Sequence, residues 1–332
     1  MKSSQATIKF ASVVLFILLA ANFLMAQSIR EGSTPQGQTM RPNGDGSAVA
    51  AAAPTGQTVI TGNGINYNGG PVLKGNPVPI YVIWYGNWAS TGSNTAATVS
   101  LIGTFLNSIG GTGYETINTL YGDTTGNVSG NLNLGGQIFD TGSQGTKLTN
   151  TKLTAIVTRG LSNGLPTDPN GVYMVVTAST ISEQGFCTRF CGFHTQQTIN
   201  GADIKWAFIG NTDKCPSNCS IQATGPNSPA AGVGGADGMA NVITHETEEA
   251  ITDPDLNAWF DSAGNEDADK CNFKFGPRTT CSSSNGCTAA GVAAGAQFNQ
   301  TFGGHDWMIQ MEWENSRGGG CDQTLGGPFF TN

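Results

Sequence analysis

Val78-Pro79-Ile80-Tyr81-Val82-Ile83-Trp84-Tyr85 is the stretch on which the fold turns. It is apolar or aromatic almost throughout, without the polar alternate positions of a half-solvated strand. Such a run suits a strand covered on both faces. Val172 to Thr177 and Ile204 to Ile209 read the same way, and Leu132 to Phe139 is a further candidate strand. Helical periodicity fills the gaps between them. Val99, Ile102, Phe105, Leu106 and Ile109 recur at helical spacing after a cap at Ser93 or Asn94, and Gly110-Gly111 ends that run. Leu153, Ile156, Val157 and Leu161 follow a second cap at Asn150. Strands alternating with helices predict an α/β domain, a sheet with packed helices, with α+β as the alternative.

Outward from this centre the chain changes character. Lys2 and Lys9 precede an apolar run from Phe10 to Ala26. That pattern is a secretory signal, with cleavage expected after Ala26; an uncleaved N-terminal anchor is the competing reading. Residues 27–62 are rich in Gly, Ser, Thr, Gln and Ala, and read as a disordered lead. Residues 63–332 read as a single domain with a loop-rich, disulfide-tied C-terminal part. No second apolar stretch approaches the ~20 residues of a spanning helix, so no stable membrane span is expected once the signal is removed. The expected location is extracellular, or the periplasm in a bacterium. A net charge of -8 with only 11% charged residues excludes the basic face that nucleic acid needs.

An exported chain with eight cysteines is expected to form disulfides. Local pairing is the simplest connectivity: Cys187 with Cys191, Cys215 with Cys219, and Cys281 with Cys287, leaving Cys271 and Cys321 for the C-terminal region. Spacing alone does not decide this. A competing reading has zinc held by Cys187, Cys191 and His194, with Cys215 as a further ligand.

The concentrated chemistry lies between Asp237, a suitable N-cap, and Asp253-Pro254, which stops a helix. Met239, Val242, Ile243, Ala250 and Ile251 give that helix a buried side. His245 and Glu249 are one turn apart on one face, and Glu246 stands beside them. This is the arrangement of HExxH zinc peptidases with Glu in place of the second His. His245 and Glu249 are the expected metal ligands, and Glu246 is the expected general base. The carboxylate makes the site harder, so divalent metals other than zinc are less excluded. Downstream, Asn265-Glu266 followed by Asp269 looks like a compressed form of the third-ligand motif of thermolysin-like peptidases. Glu266 is the expected third ligand and Asp269 a carboxylate supporting a metal-bound His from behind, with Asp269 itself as the alternative ligand.

Blander readings stand beside these. Glu248 and Glu249 would be a solvated face if the helix lay at the surface. His305 reads as a loop histidine, and His194 is ambiguous. Asp253 and Asp255 suit caps and turns. The Trp84–Trp88 cluster suits packing more than sugar stacking.

Several stretches together resemble the Exordium-like, phosphate-induced protein family. They are Ile83 to Trp88, Gly185-Phe186-Cys187 through His194, Cys215-Pro216 with Cys219, Gly235 to Met239, Asn257 to Phe260, and Cys321. The resemblance spans about residues 65–321 and implies a secreted protein. Plant members are linked to the cell wall and growth control, a role not carried over here, because the signal and lead look bacterial. The expected activity is a secreted zinc-dependent hydrolase, peptidase-like, acting on an extracellular peptide or cell-wall substrate. The alternative is a non-catalytic, cell-wall-associated binding protein.

Overall fold

The computed structural model describes residues 62–89, 94–222, 225–227, 235–282, 287 and 295–330. The signal segment and the lead up to residue 61 lie outside these residues, as does Ser93.

Five strands form the central sheet: β1 (Val78–Tyr85), β2 (Leu132–Asp140), β3 (Val172–Thr177), β4 (Gly192–Ile199) and β5 (Ala202–Ile209). Their order is β2-β1-β3-β5-β4. The first four strands in that order run parallel, with Tyr81 opposite Tyr173 and Trp206 also opposite Tyr173. β4 closes the edge antiparallel to β5, with His194 opposite Ala207. The apolar runs of β1, β3 and β5 lie in the interior strands, and in β5 the polar Asp203 and Lys205 fall only in its first half. Between β1 and β2 comes α1 (Ala96–Leu106), and between β2 and β3 comes α2 (Asn150–Ser162). Gly160 of α2 lies against Ile83, whereas Gly103 of α1 lies near Leu134, the register partner of Ile80. Ile80 and Ile83 point to opposite faces of β1, so the two helices cover opposite faces of the sheet. Mixed α/β architecture is therefore what the alternation encodes.

The helix caps shift by one residue from expectation. Thr95, not Asn94, presents its hydroxyl to the Thr98 N–H at the start of α1, and Thr149, not Asn150, does so for Lys152 in α2. Asn94 instead accepts from the Ser179 N–H, tying the loop to the end of β3.

The helix α3 (Gly235–Thr252) packs on β4 and β5 and beside α1. Asp237 lies inside its first turn rather than capping it, and accepts from Asn227. Every residue of α3 is buried, so Glu248 and Glu249 form no solvated face. After Asp253-Pro254 the chain turns through Asp253, whose Oδ1 accepts from the Asn257 and Ala258 N–H groups. It then enters the short helix α4 (Asp267–Lys270), which packs against α3.

The cysteines overturn local pairing in one region. Cys187 joins Cys215 and Cys191 joins Cys219, so neither i,i+4 pair closes on itself. The zinc reading of Cys187, Cys191, Cys215 and His194 falls with it, because these thiols are oxidised. Cys271–Cys321 and Cys281–Cys287 pair as read. Trp84 and Trp88 are buried and meet edge to face, a packing pair.

Candidate metal centre

Three parts of the chain, β4, α3 and the turn into α4, bring the donors together. β4 and α3 run side by side, and each step along one is matched by a step along the other. Gly192 of β4 sits against Glu246: a Cβ at Gly192 would stand 2.7 Å from Glu246 Oε1 and 2.7 Å from Val242 Cγ1. Two residues along the strand, on the same face, His194 reaches the next turn of the helix. Its Nε2 lies 3.6 Å from Glu249 Oε2 and 3.1 Å from Glu266 Oε2. On the other side of Glu249, His245 Nε2 lies 3.1 Å from Oε1 and 3.8 Å from Asp269 Oδ1.

These spacings are informative. Donors held ~2.0–2.2 Å from a tetrahedral zinc stand roughly 3.3–3.6 Å from one another. Among the described residues, His194, Glu249 and Glu266 form one trio whose donor atoms lie within 4.8 Å of each other, and His245, Glu249 and Asp269 form a second. The expected ligands His245 and Glu249 are thus brought together. Glu266 joins the centre through His194 rather than in the His245 trio, where Asp269, the alternative ligand, takes the third place. His194 is the candidate donor that the sequence reading placed only with the cysteines and not with this helix. The signal was weak, because β4 reads Gly-Phe-His-Thr-Gln-Gln-Thr-Ile and its polar residues hid the strand. His305 takes no part in either trio; it lies on a strand, not a loop, with Nδ1 2.8 Å from Asn227 Oδ1.

The groups behind the donors are ordered. His245 Nδ1 donates to Gln310 Oε1 at 3.2 Å. The amide of Gln310 is oriented by its own donation to the Ala268 carbonyl (2.9 Å) and by the Phe273 N–H (3.4 Å). That bond places the lone pair of His245 on Nε2, the atom that faces Glu249 and Asp269. Asp269 accepts from the Glu266 N–H on Oδ2, and its own N–H donates to Glu249 Oε1 at 3.1 Å.

The electrostatics favour a cation. The side chains of His194, His245, Glu249, Glu266 and Asp269 are at most 1% exposed, and Glu246 is fully buried. Burial, and then the nearby His245, lowers His194 to about 3, which favours its neutral imidazole. Burial, followed by the Glu249, Asp253 and Asp269 carboxylates, pushes Glu266 well above the usual carboxylate range. Carboxylates crowded in a dry site cannot all ionise without an added positive charge. A mixed imidazole and carboxylate set suits zinc and its borderline neighbours. Beyond this site the same helix turns Glu248 toward Asn118, in a second buried acidic group with Glu115, Asp267 and Glu312.

Residues 65–323 match the model of the phosphate-induced protein 1 conserved region. The chain is 32% identical over 285 residues to Protein EXORDIUM-like 5 of Arabidopsis thaliana, covering 75% of each chain. It is 34% identical over 223 residues to Protein EXORDIUM-like 3 of the same plant, covering 59% of this chain and 64% of that one. No solved structure matches the chain.

Proposed function

The chain belongs to the phosphate-induced protein 1, or Exordium-like, family, and we propose that it is an exported metalloprotein whose centre serves metal-dependent hydrolysis. One observation carries this reading: two imidazoles and three carboxylates, from three separated parts of the chain, converge at the mutual spacing of metal ligands. Four disulfides and the N-terminal signal pattern support an extracellular setting. Among the described residues, no helix is long and apolar enough to cross a membrane.

In this reading His245, Glu249 and Asp269 hold a divalent ion, zinc by the donor chemistry. Such an ion, when bound, polarises a carbonyl and lowers the pKa of its water. Glu246, next in sequence to His245 and packed against Gly192, would serve as the general base, taking a proton from a water held by that ion and passing it to the leaving group. Gln310 holds the His245 ring in the tautomer that presents Nε2. The substrate class is an extracellular peptide or a cell-wall component.

A specific observation favours a second reading, a non-catalytic centre in a cell-wall-associated protein. Structural metal sites are closed by protein ligands, whereas catalytic ones keep a position open, and here every donor is buried. Metal analysis of the purified secreted chain, with His245→Ala and Glu246→Gln beside it, separates the readings. The hydrolase reading expects bound metal that His245→Ala loses. It also expects peptide cleavage that Glu246→Gln abolishes while the metal stays. Metal retained by wild type and Glu246→Gln, with no cleavage by either, leaves the structural centre. No metal in wild type under saturating zinc ends both.

A further inference from the structure

We propose that the centre is built for two divalent ions bridged by the carboxylate of Glu249. The inference rests on the reading of α3 as metal-binding and adds to it a second site, formed by His194, Glu266 and Glu249.

The donors divide rather than merge. Glu249 offers Oε1 to His245 at 3.1 Å and Oε2 to His194 at 3.6 Å, one oxygen to each imidazole. The remaining carboxylates divide the same way, Glu266 Oε2 at 3.1 Å from His194 Nε2 and Asp269 Oδ1 at 3.8 Å from His245 Nε2. Each half therefore has one imidazole, one carboxylate of its own and one oxygen of the shared Glu249. Among the described residues, the atoms within mutual ligand distance fall into these two trios, which have only Glu249 in common. A carboxylate that binds one ion on each oxygen holds the pair at roughly the 3.5–4 Å of two-metal sites.

The two halves differ in their support. His245 Nδ1 is fixed by Gln310, whereas among the described residues His194 Nδ1 is buried without a hydrogen-bond partner. A ligating histidine without such a partner binds its metal on the order of 10–100-fold more weakly. The His245 half is accordingly the tight site and the His194 half the weak, exchangeable one. The weak ion would also tie the edge strand β4 to α3 and to the start of α4.

Zinc titration of the metal-stripped secreted chain by calorimetry, with metal counted by plasma mass spectrometry after desalting, tests this. Two ions per chain in two affinity classes are expected. Glu266→Gln, which keeps size and burial, should lose the weak ion and keep the tight one, with an unchanged far-ultraviolet circular dichroism spectrum. His194→Ala should behave alike, and His245→Ala should lose the tight ion. With cobalt(II) in place of zinc, the doubly loaded protein should show magnetic coupling that Glu266→Gln removes. One ion in wild type overturns the second site and leaves the metal-binding reading standing, whether or not Glu266→Gln retains that ion. Two ions in both wild type and Glu266→Gln overturn the assignment of Glu266. No ion in wild type overturns both readings.

Discussion

Gly192 carries no side chain where α3 presses against β4. An added methyl would stand 2.7 Å from Glu246 Oε1 and Val242 Cγ1 and 2.9 Å from the Phe208 carbonyl oxygen. The last of these is backbone and cannot yield. Gly192→Ala should therefore lower stability by about 1–3 kcal/mol in urea unfolding, the cost of overpacking a tight core. It should also displace Glu246, so a variant as stable as wild type would show that strand and helix are not this close. Glu183 makes a different residue-scale case. It is 7% exposed, and burial pushes its carboxyl up to about 8, against the opposing N–H groups of Gln184 and Phe186 and the charge of Arg189. A carboxyl raised on folding holds its proton more tightly in the native state. Its contribution is intact below the unfolded value, 4.5, and is lost as pH rises from there through about 8. Glu183→Gln should melt above wild type at pH 8, and the difference should vanish near pH 4. A difference independent of pH would remove the titration from the explanation.

At the scale of elements, the cysteines show how local spacing misleads. Residues four apart on a helical turn have Cβ atoms ~5–6 Å apart, whereas a disulfide needs roughly 3.8 Å. Cys215 borders and Cys219 ends the short helix Pro216–Cys219, so each thiol reaches across to the segment before β4 instead. The two cross-links close stretches with a sequence separation of 28, fastening the segment that follows β5 to the segment that leads into β4 and His194. Replacing Cys187 and Cys215 together by serine should cost about 2.5 kcal/mol on the chain-entropy model, because Cys191–Cys219 still closes most of the same loop. Unfolding of that double variant under non-reducing conditions measures it; no loss would mean that Cys191–Cys219 alone sets the register. Helix α3 teaches the complementary lesson. Its histidine and glutamate spacing was readable because both residues belong to one regular element. Its total burial was not, because that depends on β4, β5, α1 and α4 packing around it.

For the whole molecule, the centre joins three parts that follow one another only through long connections: β4, α3 and the turn into α4. An ion bound there favours the folded chain over the unfolded one by RT ln(1 + [L]/Kd), about 2.7 kcal/mol at a free concentration of 100 Kd. Stripping the protein with a chelator should lower Tm by several degrees, and zinc should restore it. An unchanged Tm after verified metal removal would mean that the centre does not couple to folding. Binding should also release protons, because burial and the neighbouring carboxylates hold Glu266 well above its usual range until a cation compensates it. Calorimetry in buffers of different ionisation enthalpy reads that release.

Local pattern alone determined the interior strands β1, β3 and β5, the helices α1, α2 and α3, and the His245-Glu246-Glu249 motif. Each is written in the period of a single element, and burial on one or both faces imposes that period wherever the element sits. The edge strand β4 was illegible because one of its sides lacks a neighbouring strand, so Thr195, Gln196 and Gln197 could be polar there. Only the tertiary structure decided that His194 comes within reach of Glu249 and Glu266, that Asp269 stands with His245, and that Cys187 and Cys191 pair with Cys215 and Cys219. Those facts depend on distances between residues tens of positions apart, and such distances are set by how the sheet closes and how α3 lies on it.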